Sequence, residues 1–114
     1  MSAPQSFAIE VGDPDASERH IRVRGELDMS TAPELSAALV RAGEEGDAVI
    51  TLDLSGVTFL DSSAIGALIA AGQELSASGK SLRIGRRSAI VSRVLEITGL
   101  TEDSDAFDVL DDEG

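Results

Sequence analysis

Apolar and polar residues alternate over Phe7-Ala-Ile-Glu-Val11 and again over His20-Ile-Arg-Val-Arg24, where Ile21 and Val23 share one face. A period of two marks a strand with one face buried. The intervening Gly12-Asp13-Pro14-Asp15 carries turn chemistry, so the pair reads as an antiparallel hairpin. The period then changes. Leu35, Ala38, Leu39 and Ala42 recur at helical spacing behind Thr31-Ala-Pro-Glu34, which has the separation of a capping box and a proline in the first turn. Gly43 is the expected stop of this first helix. Residues 48–54 are dense in apolar side chains and predict a strand buried on both faces, with residues 55–60 as a loop. Ile65, Leu68, Ile69, Gly72 and Leu75 predict a second helix over 63–78, closed by Gly79. Its other face, Ser63, Gly66, Ala67, Ala70 and Ala71, is small and uncharged. Leu82-Arg-Ile84 is a short strand. Ser88 is placed to cap a third helix with Val91, Val94, Leu95 and Thr98, and Gly99-Leu100 to end it in a Schellman turn. A last strand falls within 107–110. The alternation predicts an α/β fold: a mixed, mostly parallel sheet with about three helices packed on it, entered through an N-terminal antiparallel hairpin.

The chain has 114 residues, enough for one domain and one core. Its formal charge of −12 argues against direct nucleic-acid binding and against anionic membrane surfaces, both of which call for clustered Lys and Arg. The charge is uneven: residues 80–93 hold five bases and no acid, and residues 102–114 hold seven acids and no base. The acidic end reads as a solvated terminus, disordered over 111–114. There is no cysteine, which excludes disulfides, thiolate catalysis and cysteine zinc sites. One histidine, His20, excludes most Ser-His-Asp chemistry, and it is expected on the solvent face of its strand. Neither a secretory signal nor a stretch of roughly 20 apolar residues is present, so a cytoplasmic chain is expected.

Two stretches carry candidate chemistry. In Asp61-Ser62-Ser63 two hydroxyls open a helix, where unpaired N–H groups and the helix dipole favour negative charge. A phosphate on Ser62 would add about −1.5 to −2 charges there; on local chemistry alone, the commoner reading is that Asp61 or Ser62 is a simple N-cap. In Gly25-Glu-Leu-Asp28 the last acid precedes the cap of the first helix by three residues and has no evident local task. Asp28, Asp53 and Asp61 as strand-end acids suit loop hydrogen bonding better than a metal cluster, and Arg86-Arg87 suits a solvated helix start better than a phosphate site. No metal or cofactor is called for, and no Gly-Lys-Ser/Thr run is present to hold ATP.

Together, in this order, Gly25-Glu26-Leu27-Asp28, Val49-Ile-Thr-Leu-Asp-Leu54 and Phe59-Leu-Asp-Ser-Ser63 with Gly66 and Leu68 resemble the STAS domain of bacterial anti-sigma factor antagonists. The resemblance covers residues 7–110 and implies a single STAS-type domain over 1–110. It implies a binding protein and not an enzyme. In the family the first serine after the aspartate is phosphorylated by an anti-sigma factor that is also an ATP-dependent serine kinase; here that is Ser62, with Ser63 as the neighbouring candidate. The unphosphorylated form binds the anti-sigma factor and frees the sigma factor, phosphorylation switches binding off, and a serine phosphatase resets it. The implied partner face is Asp28, Asp61, Ser62, Ser63, Gly66, Ala67 and Ala70. A second function compatible with the family is a regulatory or structural STAS module, in a stress-sensing assembly or in lipid or anion transport, without a phosphoserine switch. Two departures stand out. The family commonly has glycine where Ala64 stands, and it ends in a further helix where residues 101–114 are short and acidic.

Overall fold

A computed structural model of the chain describes residues 7–12, 18–46, 48–99 and 107–110. Its elements run β1 (Ala8–Val11), β2 (Glu18–Leu27), α1 (Ala32–Glu44), β3 (Val49–Leu60), α2 (Ser62–Ala77), β4 (Ser81–Arg87), α3 (Ala89–Thr98) and β5 (Asp108–Val109). The five strands form one sheet in the order β1-β2-β3-β4-β5. β1 and β2 pair antiparallel, and every later pair is parallel. The expected architecture is therefore the observed one. Each parallel neighbour is reached through a helix, as a parallel connection demands.

Register explains the core. Ile21, Leu52 and Ile84 lie opposite one another across β2, β3 and β4, all buried to within 1% of full burial. Val23, Leu27, Ile50 and Leu82 extend this apolar face, and α1 and α2 add Leu35, Leu39, Leu68 and Leu75. On the opposite face Glu10 pairs with Arg22, and Arg22 with Asp53. Their side chains form ion pairs at 3.8 and 3.6 Å, and Arg24 reaches Glu10 at 3.6 Å. Such exposed pairs contribute about 0–1 kcal/mol each; they keep this face wet more than they hold it together. His20 lies on this face beside Glu18, as expected.

The structure departs from the sequence pattern in four places. Residues 55–60 are strand, not loop: β3 continues to Leu60, paired with β2 through Leu27. The pairing is made possible by bulges, one of them between Gly25 and Glu26. There Gly25 takes a φ of 97°, which a side chain would resist. The expected capping box at Thr31 does not form, because Thr31 makes no side-chain cap bond and its hydroxyl is used elsewhere. Helix α1 runs past Gly43 to Glu44, and the left-handed turn falls at Gly46 (φ 96°). Ser88 occupies the N-cap of α3, but its hydroxyl makes no cap bond. Gly99 does take the left-handed cap conformation; Leu100, the other half of the expected stop, and the 111–114 tail lie outside the described residues.

Candidate functional site

β2 and β3 are parallel neighbours, so the loops that follow them open at the same edge of the sheet. Leu27 and Leu60 are the last paired residues, and the Asp61 amide donates to the Leu27 carbonyl at 3.2 Å. This single bond joins the two stretches singled out in the sequence, one residue before Ser62 and one before Asp28.

Asp61 has extended backbone (φ −114°, ψ 179°), and its carboxylate accepts from the Ala64 amide at 3.0 Å. It is the N-cap of α2, and Ser62 is the first helical residue. The N–H of such a residue has no acceptor within its own helix. Ser62 and Ser63 are both exposed. Gly66 and Ala70 follow Ser62 at four-residue steps, the spacing that aligns side chains along one helix face, and both are exposed. Ala67 beside them is half-buried, whereas Ala71 is only 4% exposed and belongs to the core and not to this face. Glu74, a turn further on, is the one charged residue of α2. The result is an uncharged, shallow-relief strip headed by a hydroxyl. A partner's main chain can approach such a strip closely, and no charge has to be desolvated along it.

Asp28 has a task that its position in the sequence did not disclose. Its carboxylate accepts from the Ser30 hydroxyl (2.7 Å), the Ser30 amide (2.9 Å) and the Thr31 amide (3.2 Å). The Ser30 hydroxyl does most to hold the Asp28 carboxyl below its ordinary value of 3.8; partial burial opposes it, and the two amides add to it. Asp53 repeats the device, accepting from the Ser55 amide at 2.9 Å and hydroxyl at 2.6 Å. Burial alone would raise the pKa of Asp53, but Ser55, Arg22 and Arg86 more than reverse this and it too is lowered. Asp53 sits on the open sheet face, well before the C-terminal end of β3, so the three acids considered as a cluster are each occupied separately. Arg87 donates to the carbonyls of Gly85 and Leu110, which ties the end of the described chain to β4. A shallow cavity of about 430 Å³ beside β1 and β2 is lined by Glu10, Arg22 and Asp53, whose charges pair among themselves, and by His20, which lies against Glu18.

Two side chains at the Ser62 end carry apolar surface into solvent and were not singled out by sequence pattern. Met29 is 73% exposed and Phe59 45% exposed. Phe59 lies beside Glu26 on the face of β3 opposite Leu60. Neither carried a local signal in the sequence: Met29 simply stands between Asp28, which accepts, and Ser30, which donates.

Comparison with known proteins agrees with this arrangement. The family model described as "Mlab, STAS domain" matches residues 13–110. An anti-sigma-B factor antagonist of Staphylococcus epidermidis is 34% identical over 82 residues, covering 72% of this chain and 76% of its own. The crystal structure of an anti-sigma factor antagonist from Mycobacterium paratuberculosis is 29% identical, with a TM-score of 0.77 over 96% of this chain and 89% of that one. The anti-sigma factor antagonist SpoIIAA in its unphosphorylated form, 23% identical, shares the fold with a TM-score of 0.72, over 93% of this chain and 90% of that one. A sheet of this order, with a paired loop and helix start at one edge, defines a STAS-type domain. The chain belongs to the STAS domain family. Among the described residues no helix is long and apolar enough to cross a membrane.

Proposed function

We propose that this chain is an anti-sigma factor antagonist that works by partner switching. The observation that carries the reading is the position of Ser62: exposed, first in α2, and at the head of the uncharged strip Gly66–Ala70. The likeness to the Staphylococcus epidermidis and Mycobacterium paratuberculosis antagonists supports it. In the unphosphorylated state the strip, with Asp28, Asp61, Ser63 and Ala67 around it, binds an anti-sigma factor and frees the sigma factor. The anti-sigma factor is also a serine kinase. The Ser62 hydroxyl attacks the γ-phosphorus of ATP held by that kinase, the bond to ADP breaks, and the hydroxyl proton passes to a base of the kinase. The new group brings about −1.5 to −2 charges to a strip that has none and sets them beside the Asp61 carboxylate. Burying that charge against a partner costs far more than burying a hydroxyl, so binding is switched off. A serine phosphatase restores the hydroxyl. The chain itself catalyses nothing, works in the cytoplasm and needs no cofactor of its own.

Ser62 is preferred to Ser63 because the four-residue steps align Ser62 with Gly66 and Ala70. Incubation with the anti-sigma serine kinase and ATP is expected to add one phosphoryl group, and Ser62→Ala to abolish it. Intact-mass analysis that finds Ser62→Ala modified as fully as the wild type would overturn the assignment. A second reading, compatible with a family model whose description names a STAS domain and no antagonist, is a regulatory or structural module of another complex without a phosphoserine switch. On that reading Ser62→Asp leaves partner binding unchanged, whereas partner switching requires it to fall.

A further inference from the structure

Thr31 stands at the N-cap of α1, where a threonine ordinarily gives its oxygen to a helical amide. Here the hydroxyl turns the other way. It donates to the Glu26 carbonyl at 2.7 Å and accepts from the Asp28 amide at 2.9 Å. Asp28 closes the loop from its own side through Ser30 and the Thr31 amide. Four residues are thereby fixed by five hydrogen bonds, with two consequences. Met29, at the tip, is held out with 73% of its surface in water. The Leu27 carbonyl, between the two groups that Thr31 grips, is set to receive the Asp61 amide one residue before Ser62.

The energetics favour a role in ordering over a role in stability. Glu26, Met29 and Ser30 are exposed, so water would serve much of this loop if the clasp opened. Against the two bonds of the Thr31 hydroxyl stands the side-chain cap of α1 that it forgoes. A hydroxyl that gives up a cap bond for this clasp, and so fixes an exposed apolar side chain, lowers the entropy to be lost when that side chain is bound.

We infer that Thr31 is a positioning residue: its clasp with Asp28 holds Met29 as an apolar contact for the anti-sigma partner and keeps Ser62 in place relative to it. The inference rests on the partner-switching reading above. It is tested with the full chain and the purified anti-sigma serine kinase of the same cell, by titration and by phosphoryl-transfer kinetics. Thr31→Val, which keeps the shape and loses both hydroxyl bonds, is expected to lower affinity and kcat/KM at Ser62 about tenfold, while Thr31→Ser stays within about twofold of the wild type. Amide exchange of the partner-free chain is expected to quicken at Asp28 and Asp61 in Thr31→Val only. Met29→Ser, at an exposed position that cannot disturb the core, is expected to weaken binding to a similar degree and guards against a Thr31→Val variant that folds poorly. Wild-type affinity in Thr31→Val or in Met29→Ser, or a Thr31→Ser variant as weak as Thr31→Val, overturns the inference while leaving the partner-switching reading intact. A wild-type chain that neither binds nor is phosphorylated by the kinase overturns both.

Discussion

The Asp61 amide donates to the Leu27 carbonyl at 3.2 Å, one rung beyond the last residues that β2 and β3 pair. The residue that caps α2 is thus also the end of a parallel ladder, and the first residue of the helix inherits its position from two strands. Sites held on strand ends are placed more accurately than sites on free loops, because the ladder removes the soft backbone torsions in between. That is the use of the long β3: without residues 55–60 as strand, Ser62 would follow a loose segment.

Asp61→Ala separates the two roles of that residue. The backbone rung survives, whereas the carboxylate bond to the Ala64 amide is lost. A lost cap of this kind costs about 1 kcal/mol, and Asp61→Asn, which keeps an acceptor, should cost much less. Urea denaturation of the two variants against the wild type measures both. A change of the same size in both would place the effect in charge and not in the hydrogen bond.

Gly56 faces Arg24 across the irregular stretch of the β2–β3 pairing. A Cβ on Gly56 would stand 2.7 Å from the Arg24 Cβ and 3.4 Å from its Cα. Neither atom is the free end of a side chain, so backbone must move. Gly56→Ala is expected to destabilise by about 1–3 kcal/mol, the usual cost of overpacking, read as a lower thermal midpoint. Because the same stretch carries the chain towards Asp61, the variant should also be phosphorylated more slowly at Ser62.

How much of this was open to inspection of the sequence follows from the range of the interactions concerned. Element order, the parallel sheet and its hairpin were legible because Ile21, Val23, Leu35 and Leu39 repeat with the period of their own element. The task of Asp28 was missed, although Asp-x-Ser at 28–30 and at 53–55 is the spacing at which a carboxylate takes the amide and hydroxyl two residues on. Thr31 was misassigned because its local spacing to Glu34 fits a capping box, while its actual acceptor, the Glu26 carbonyl, lies five residues back in a strand. Residues 55–60 read as a loop because Ser55-Gly56 is of the residue types that loops and bulges share; only the pairing with β2 distinguishes them. The exposure of Met29 and Phe59 depends on the whole fold and has no local sign.

Asp28 and Asp53 make stability depend on pH in a defined direction. Both carboxyls are held below their ordinary 3.8, Asp28 first of all by the Ser30 hydroxyl and Asp53 by Ser55 with Arg22 and Arg86 against its burial. A carboxyl lowered in the folded state binds fewer protons there than in the unfolded chain. Its contribution is therefore complete above 3.8 and is lost as pH falls through the lowered value. The wild type should lose stability to urea below about pH 4. In Asp28→Asn and Asp53→Asn the deficit against the wild type at pH 7 should shrink at pH 3. A deficit that stays constant over that interval would show that neither ionised carboxylate contributes.

Gly66 has no structural reason to be glycine. It lies inside α2 with an ordinary helical backbone, and a Cβ built on it meets nothing within 4 Å. A glycine inside a helix costs about 0.5–1 kcal/mol relative to alanine. Gly66→Ala should therefore stabilise the chain by that amount, raising the thermal midpoint by roughly 4 °C per kcal/mol. If the strip from Ser62 to Ala70 is where the anti-sigma partner settles, the added methyl stands between the two surfaces, and affinity should fall as stability rises. The opposite signs make the experiment decisive, since a general loss of structure cannot produce them. A thermal melt and a titration on the same preparation read the two quantities; a variant that is more stable and binds as tightly as the wild type would move the contact surface away from this face of α2.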